Sequence, residues 1–144
     1  MMIILLAVLA ILVSNTIKFV VFLRSGGTLS RSSFFWHYLW TGKFPSSHSA
    51  AFGSAVVSLW YTEGFTSLVA FSSIVAVFVM YTLFENKKRY ELFAEYYMQS
   101  SDKAIQLLVT EQKVAEFEGH TMAEVIGGLL VGVATSLTVL YFLG

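Results

Sequence analysis

Apolar run length constrains this chain more than any other feature. Met1 to about Leu23 is long enough to cross a bilayer, whose hydrocarbon core of about 30 Å takes roughly twenty helical residues. Runs at about 65–84 and 121–143 meet the same requirement, and a shorter, small-residue-rich segment at about 46–61 precedes the turn Thr62-Glu63-Gly64. With 56% hydrophobic and 12% charged residues, too few polar side chains remain to cover an ordinary soluble domain of 144 residues. The expected fold is all-α: one membrane domain, 1–144, with four transmembrane helices at about 1–23, 46–61, 65–84 and 121–143.

Charge placement orients these spans. The nine basic residues (Lys18, Arg24, Arg31, Lys43, Lys87, Lys88, Arg89, Lys103, Lys113) belong to one side or to helix ends near it. The opposite side carries Glu63 as its one charged side chain. The positive-inside rule makes the basic side cytoplasmic and sends both termini outward. The Met-Met-Ile-Ile start lacks a basic n-region, so the first helix is expected to be retained. Zero formal net charge removes the basic excess that a nucleic-acid partner usually demands, and the absence of cysteine removes thiolate metal sites, disulfides and a thiol nucleophile.

Two cytoplasmic segments are too short or too polar to span. The stretch 27–44 holds Phe34-Phe35-Trp36-His37-Tyr38-Leu39-Trp40, suited to an interface or a re-entrant turn, where His37 reads as an interfacial side chain. The connector 86–118 has apolar residues at Leu92, Phe93, Tyr96, Tyr97, then Ile105, Leu108 and Val109, predicting two amphipathic helices with a break near Ser100-Ser101-Asp102. Lys87-Lys88-Arg89 reads as an anchor for the third span at anionic headgroups.

The chemistry lies in Pro45-Ser46-Ser47-His48-Ser49 and in Gly119-His120-Thr121 with Glu124. Both histidines fall at the first turn of an apolar helix, and both helix starts face the basic side. Helix N-termini offer unpaired N–H groups and the positive end of the dipole, so two of them side by side favour a phosphate. Ser46 and Ser47 can add hydroxyl donors, and Pro45 suits the position ahead of a helix. Steps of four from His120 reach Glu124, Gly128, Gly132 and Ser136, while Ala51, Ser54, Ala55 and Ser58 lead away from His48. Small residues in such stripes let membrane helices approach closely, and the same faces could instead carry a homo-oligomer. A carboxylate four residues after a histidine can hold one ring nitrogen and leave the other as nucleophile, and a carboxylate near a bilayer is expensive to place by accident. Histidines and carboxylates occur without His-x-x-x-His or another ligand pair, so no catalytic metal and no cofactor are expected.

Pro-Ser-Ser-His-Ser-Ala at 45–50 and Gly-His-Thr-x-x-Glu-Val at 119–125 resemble the signatures of the divergent branch of the type-2 phosphatidic acid phosphatase superfamily, related to acid phosphatases and vanadium haloperoxidases. The resemblance covers nearly the whole chain. It implies that His120 is the nucleophile that becomes phosphohistidine, that Glu124 orients it in place of the usual aspartate, and that His48 protonates the leaving alkoxide and then activates water. Lys18 and Arg24 are the nearest match to the first motif, a lysine followed by Arg-Pro, although the spacing is one residue short and Ser25 replaces the proline. They are expected to bind phosphate.

Three departures stand out. Val114 occupies the position of the superfamily arginine, with Lys113 beside it, which makes Lys43 the best-placed substitute cation. Tyr81-Thr82-Leu83 stands where the branch carries Tyr-Asp-Ala, with Glu85 one turn later, and Gly42-Lys43-Phe44 stands for Gly-Gly-Met. The expected activity is hydrolysis of a phosphate monoester or diphosphate on a lipid of the inner leaflet, the lipid being the partner molecule. A non-catalytic lipid-phosphate binding or transport protein and a structural membrane subunit are the other readings.

Overall fold

The structure is a computed structural model that describes residues 1–28, 30, 34, 38, 44–99 and 119–143. Among these residues it contains four helices and no strand: α1 (Met2–Arg24), α2 (Ser47–Glu63), α3 (Ser67–Met98) and α4 (Met122–Leu143). Three of them, α1, α3 and α4, are long and apolar enough to cross a membrane. α2 has 17 residues, about 25 Å of rise at 1.5 Å per residue, which is short of the hydrocarbon core. Of the four expected spans, three are thus long and apolar enough to cross a membrane, and α2 falls short of that length.

Polar side chains start three of the four helices. Ser46 caps α2, its Oγ accepting from the Ser49 amide at 3.3 Å, and Thr66 caps α3 by accepting from Val69 at 3.5 Å. Thr121 and Glu124 form a reciprocal capping box on α4: the Thr121 amide donates to Glu124 Oε2 at 2.8 Å and the Glu124 amide to Thr121 Oγ1 at 3.3 Å. α2 ends at Gly64, whose positive φ of 66° is readily open to glycine and whose amide donates to the Trp60 carbonyl.

α1, α2 and α4 pack together, and their interfaces are made of small residues. α2 and α4 run parallel with Ser46 level with Gly128, Ala50 with Gly132 and Ser54 with Ser136. A Cβ at Gly128 or Gly132 would collide with the carbonyl of Ser46 or Ala50, so glycine sets how closely the backbones approach. Ser54 and Ser136 share a buried hydroxyl hydrogen bond of 2.7 Å across this seam. Ser14 on α1 donates to the Pro45 carbonyl at 3.1 Å. Such interhelical bonds contribute about 0.6 kcal/mol each on average, so van der Waals contact along the glycine seam supplies much of the rest.

The face of α2 differs in part from expectation. Ser49, Ala50, Gly53, Ser54 and Ser58 are buried, whereas Ala51 and Ala55 are half-buried, because the helix turns its Ser46–Ala50–Ser54–Ser58 row toward α4. The small-residue faces of α2 and α4 thus meet inside one chain.

α3 also departs from the sequence reading. It continues fourteen residues past Phe84 without a break at Lys87-Lys88-Arg89, ending at Met98, close to the expected interruption near Ser100. Strong helix formers and the i,i+4 pairs Glu85–Arg89 (3.8 Å) and Lys87–Glu91 (3.7 Å) support this continuation. α3 is peripheral, with Val69 and Ala76 its buried residues. The second connector helix, with Ile105, Leu108 and Val109, lies outside the described residues. From the aromatic segment, Phe34 packs edge-on against Phe19 and Tyr38 reaches Thr16 Oγ1 at 3.3 Å, so these two residues lie back along α1.

Candidate active site

The parallel pairing of α2 and α4 puts their N-termini side by side, and the C-terminal half of α1 closes the third side. The Ser46 amide donates to the Glu124 carbonyl at 2.9 Å, tying the two helix starts together. The rings of His48 and His120 converge, with centroids 5.8 Å apart and planes inclined at 51°. They come from positions 72 residues apart in sequence.

The two imidazoles differ in environment. His48, the second residue of α2, is exposed. His120 is buried at 4% exposure and stands two residues ahead of α4, a small shift from the expected first helical turn. Its amide donates to the Leu83 carbonyl of α3 at 2.9 Å. Its Nδ1 lies 3.5 Å from Glu124 Oε2, an ion-pair separation at which no hydrogen bond is formed. The same carboxylate oxygen holds the Thr121 amide, so Glu124 both caps the helix and faces the ring. Nε2 is left as the nitrogen not directed at Glu124. Burial is the largest influence on His120 and pushes it below the ordinary histidine value, with the Glu124 carboxylate opposing. That direction favours the neutral ring, the form with a free nitrogen lone pair.

Lys18 is buried at 6% exposure within α1 and donates from Nζ to Ser47 Oγ at 3.0 Å. Ser14 and Asn15 beside it are buried as well, so the lysine extends into a polar interior and does not snorkel outward. The α1 row Leu6, Ala10, Ser14, Lys18 is apolar at one end and cationic where it meets the two histidines. The structure thus gathers His48, His120, Glu124, Lys18, Ser46 and Ser47 at one end of the three-helix core. Ser46 is fully buried with its Oγ engaged as a cap acceptor, whereas Ser47 is half-buried and bonded to Lys18.

Other expected site residues are placed differently. Arg24 is exposed at the last turn of α1, about 9 Å of helical rise beyond Lys18, and takes part in none of these polar contacts. Lys43, Val114 and His37 lie outside the described residues. Thr82 is exposed and its hydroxyl donates to the Phe78 carbonyl of its own helix, while Glu85 pairs with Arg89. Neither therefore supplies the missing aspartate to the cluster. Sequence reasoning missed the capping role of Glu124, although Thr-x-x-Glu ahead of an apolar run is its ordinary signature. It also missed Leu83, which acts through a carbonyl that any residue could provide.

What this constellation can do follows from its parts: two helix N-termini and a buried ammonium to attract an anion, one oriented neutral imidazole, and one accessible imidazole for proton transfer. The family model described as "Divergent PAP2 family" matches residues 1–135. No curated protein and no solved structure matches the chain.

Proposed function

The chain belongs to the divergent PAP2 family, and on that premise we propose that it is a metal-independent lipid-phosphate phosphatase working through a phosphohistidine on His120. The carrying observation is the convergence of the His48 and His120 rings at 5.8 Å, with Glu124 facing Nδ1 of His120 and Lys18 at the shared rim. His120 Nε2 attacks phosphorus, the bond from phosphorus to the leaving oxygen breaks, and His48 as the imidazolium delivers its proton to that oxygen, an alkoxide from a monoester or a lipid phosphate from a diphosphate. His48 then accepts a proton from water, which attacks the phosphohistidine, releases inorganic phosphate and restores His120. Glu124 stabilises the imidazolium that forms. Lys18 and the paired helix N-termini carry the charge of the transferring group. The density of basic residues beside the helix starts supports a cytoplasmic site, where a lipid of the inner leaflet presents its phosphate with its tails in the bilayer.

One observation favours a second reading, a lipid-phosphate binding or transport protein without turnover. The aspartate that the divergent branch carries is Thr82 here, bonded to its own helix, and the nearby Glu85 is engaged by Arg89.

Phosphate release from phosphatidic acid, phosphatidylglycerophosphate and polyprenyl diphosphate by the purified protein separates the two. Turnover supports the phosphatase, and saturable lipid binding without phosphate release supports the second reading. In His48→Ala, lipid-phosphate turnover is expected to fall by about 10²–10⁴-fold, while an aryl phosphate with a good leaving group still charges His120 and the phosphoenzyme accumulates. Lys18→Met, which keeps length but removes the ammonium, is expected to raise KM for the lipid phosphate and lower kcat/KM by about 10²-fold, as for loss of a buried charge contact. Unchanged kinetics in Lys18→Met would remove that residue from the anion site.

A further inference from the structure

His120 lies outside the regular geometry of α4, so its own helix does not fix its backbone. The contact that does is with α3. Gly119 has φ +27°, a conformation that side-chain-bearing residues rarely adopt. A Cβ at this position would run into the Leu83 carbonyl and the Lys87 amide nitrogen and stand 3.1 Å from Asn86 Cβ. The absent side chain lets residues 119–120 lie directly on the α3 backbone, where the His120 amide reaches the Leu83 carbonyl at 2.9 Å. On its other side the ring faces Glu124 at 3.5 Å and His48 at 5.8 Å between centroids. Shifting the 119–120 peptide by the width of a methyl group changes both separations at once.

We propose that Gly119 is a positioning residue: its seat on α3 at Leu83–Lys87 holds the His120 imidazole in register with Glu124 and His48. This rests on the reading of His120 as nucleophile, and it makes the otherwise loosely packed α3 part of the reacting geometry. Misplacement of a nucleophile by about 1 Å can reduce the chemical step by about 10²-fold, whereas binding of the anion by Lys18 and the helix ends does not depend on the ring's aim.

The test joins a spectroscopic readout to kinetics. In native protein with ¹⁵N-labelled histidine, reconstituted in phosphatidylcholine nanodiscs, the His120 ring is expected to hold one tautomer with the proton on Nδ1. Gly119→Ala is expected to give mixed tautomers, with kcat on lipid phosphate down by about 10²-fold and KM within about threefold. Asn86→Ile, which branches the Cβ facing Gly119 and leaves the glycine backbone alone, is expected to move both readouts in the same direction, by about tenfold in kcat. It serves alone if Gly119→Ala does not fold. A single native-like tautomer with full turnover in the folded variants overturns the proposal. A native protein that hydrolyses no lipid phosphate but shows the tautomer change refutes the phosphatase reading and leaves the positioning role intact.

Discussion

His120→Ala is expected to abolish phosphate release, by about 10⁴-fold or more, and to remove any acid-labile phosphoenzyme. The same variant is expected to be at least as stable as the native protein. Nδ1 of His120 is buried without a hydrogen-bond partner, and an unpaired buried polar atom costs about 1–3 kcal/mol. Removing the ring removes that cost. Activity lost together with an equal or higher thermal midpoint in detergent marks a residue held in an unfavourable setting for its chemistry. Retained turnover in His120→Ala would eliminate it as nucleophile, and a collapse in stability would make it a structural histidine.

The second large effect is on the fold. Gly128→Val is expected to destabilise by about 3 kcal/mol or more, since even its Cβ would overlap the Ser46 carbonyl and two backbones must separate. Gly132→Val meets the Ala50 carbonyl in the same way and should behave alike. The comparison is Ala134→Val, two residues further along α4 but exposed, where the change is expected to stay within about 0.5 kcal/mol. Thermal aggregation midpoints in one detergent rank the three. Equal midpoints for Gly128→Val and Ala134→Val would mean that the seam does not hold the core together. Because Ser46 also ties α2 to Glu124, Gly128→Val is expected to lower turnover even at temperatures where the protein stays folded.

The parts of this arrangement that were legible in the sequence are those with a strong local signal. The first and last spans ended within a residue or two of Arg24 and Leu143, because apolar runs of that length have few alternatives. The turn at Thr62–Gly64 was marked by its glycine. The meeting of His48 and His120 follows from two helix starts on one side joined by small residues. The continuation of α3 is hidden in the sequence by the change from apolar to charged composition after Phe84, although nothing between Phe84 and Met98 stops a helix. The rotation of α2 was misjudged because serine, alanine and glycine occupy several of its faces, so composition could not say which one turned to α4. Backbone partners such as the Leu83 carbonyl leave no trace in side-chain identity. Arg24 belongs to a motif match whose spacing it does not keep, and it stands exposed beyond the cluster.

The short α2 has a consequence for how the molecule is made. Of its buried serines, Ser58 bonds back to the Ser54 carbonyl of its own helix, and Ser54 finds its hydroxyl partner at Ser136, 82 residues further along the chain. During synthesis α2 therefore leaves the ribosome long before its seat exists, too polar along one flank to partition stably into lipid unaided. It must be sheltered by the insertion machinery, or paired provisionally with its hairpin neighbour, until the last helix arrives. Biogenesis of this protein is accordingly expected to be completed in one late step, and chains stalled before α4 to be cleared by membrane proteolysis.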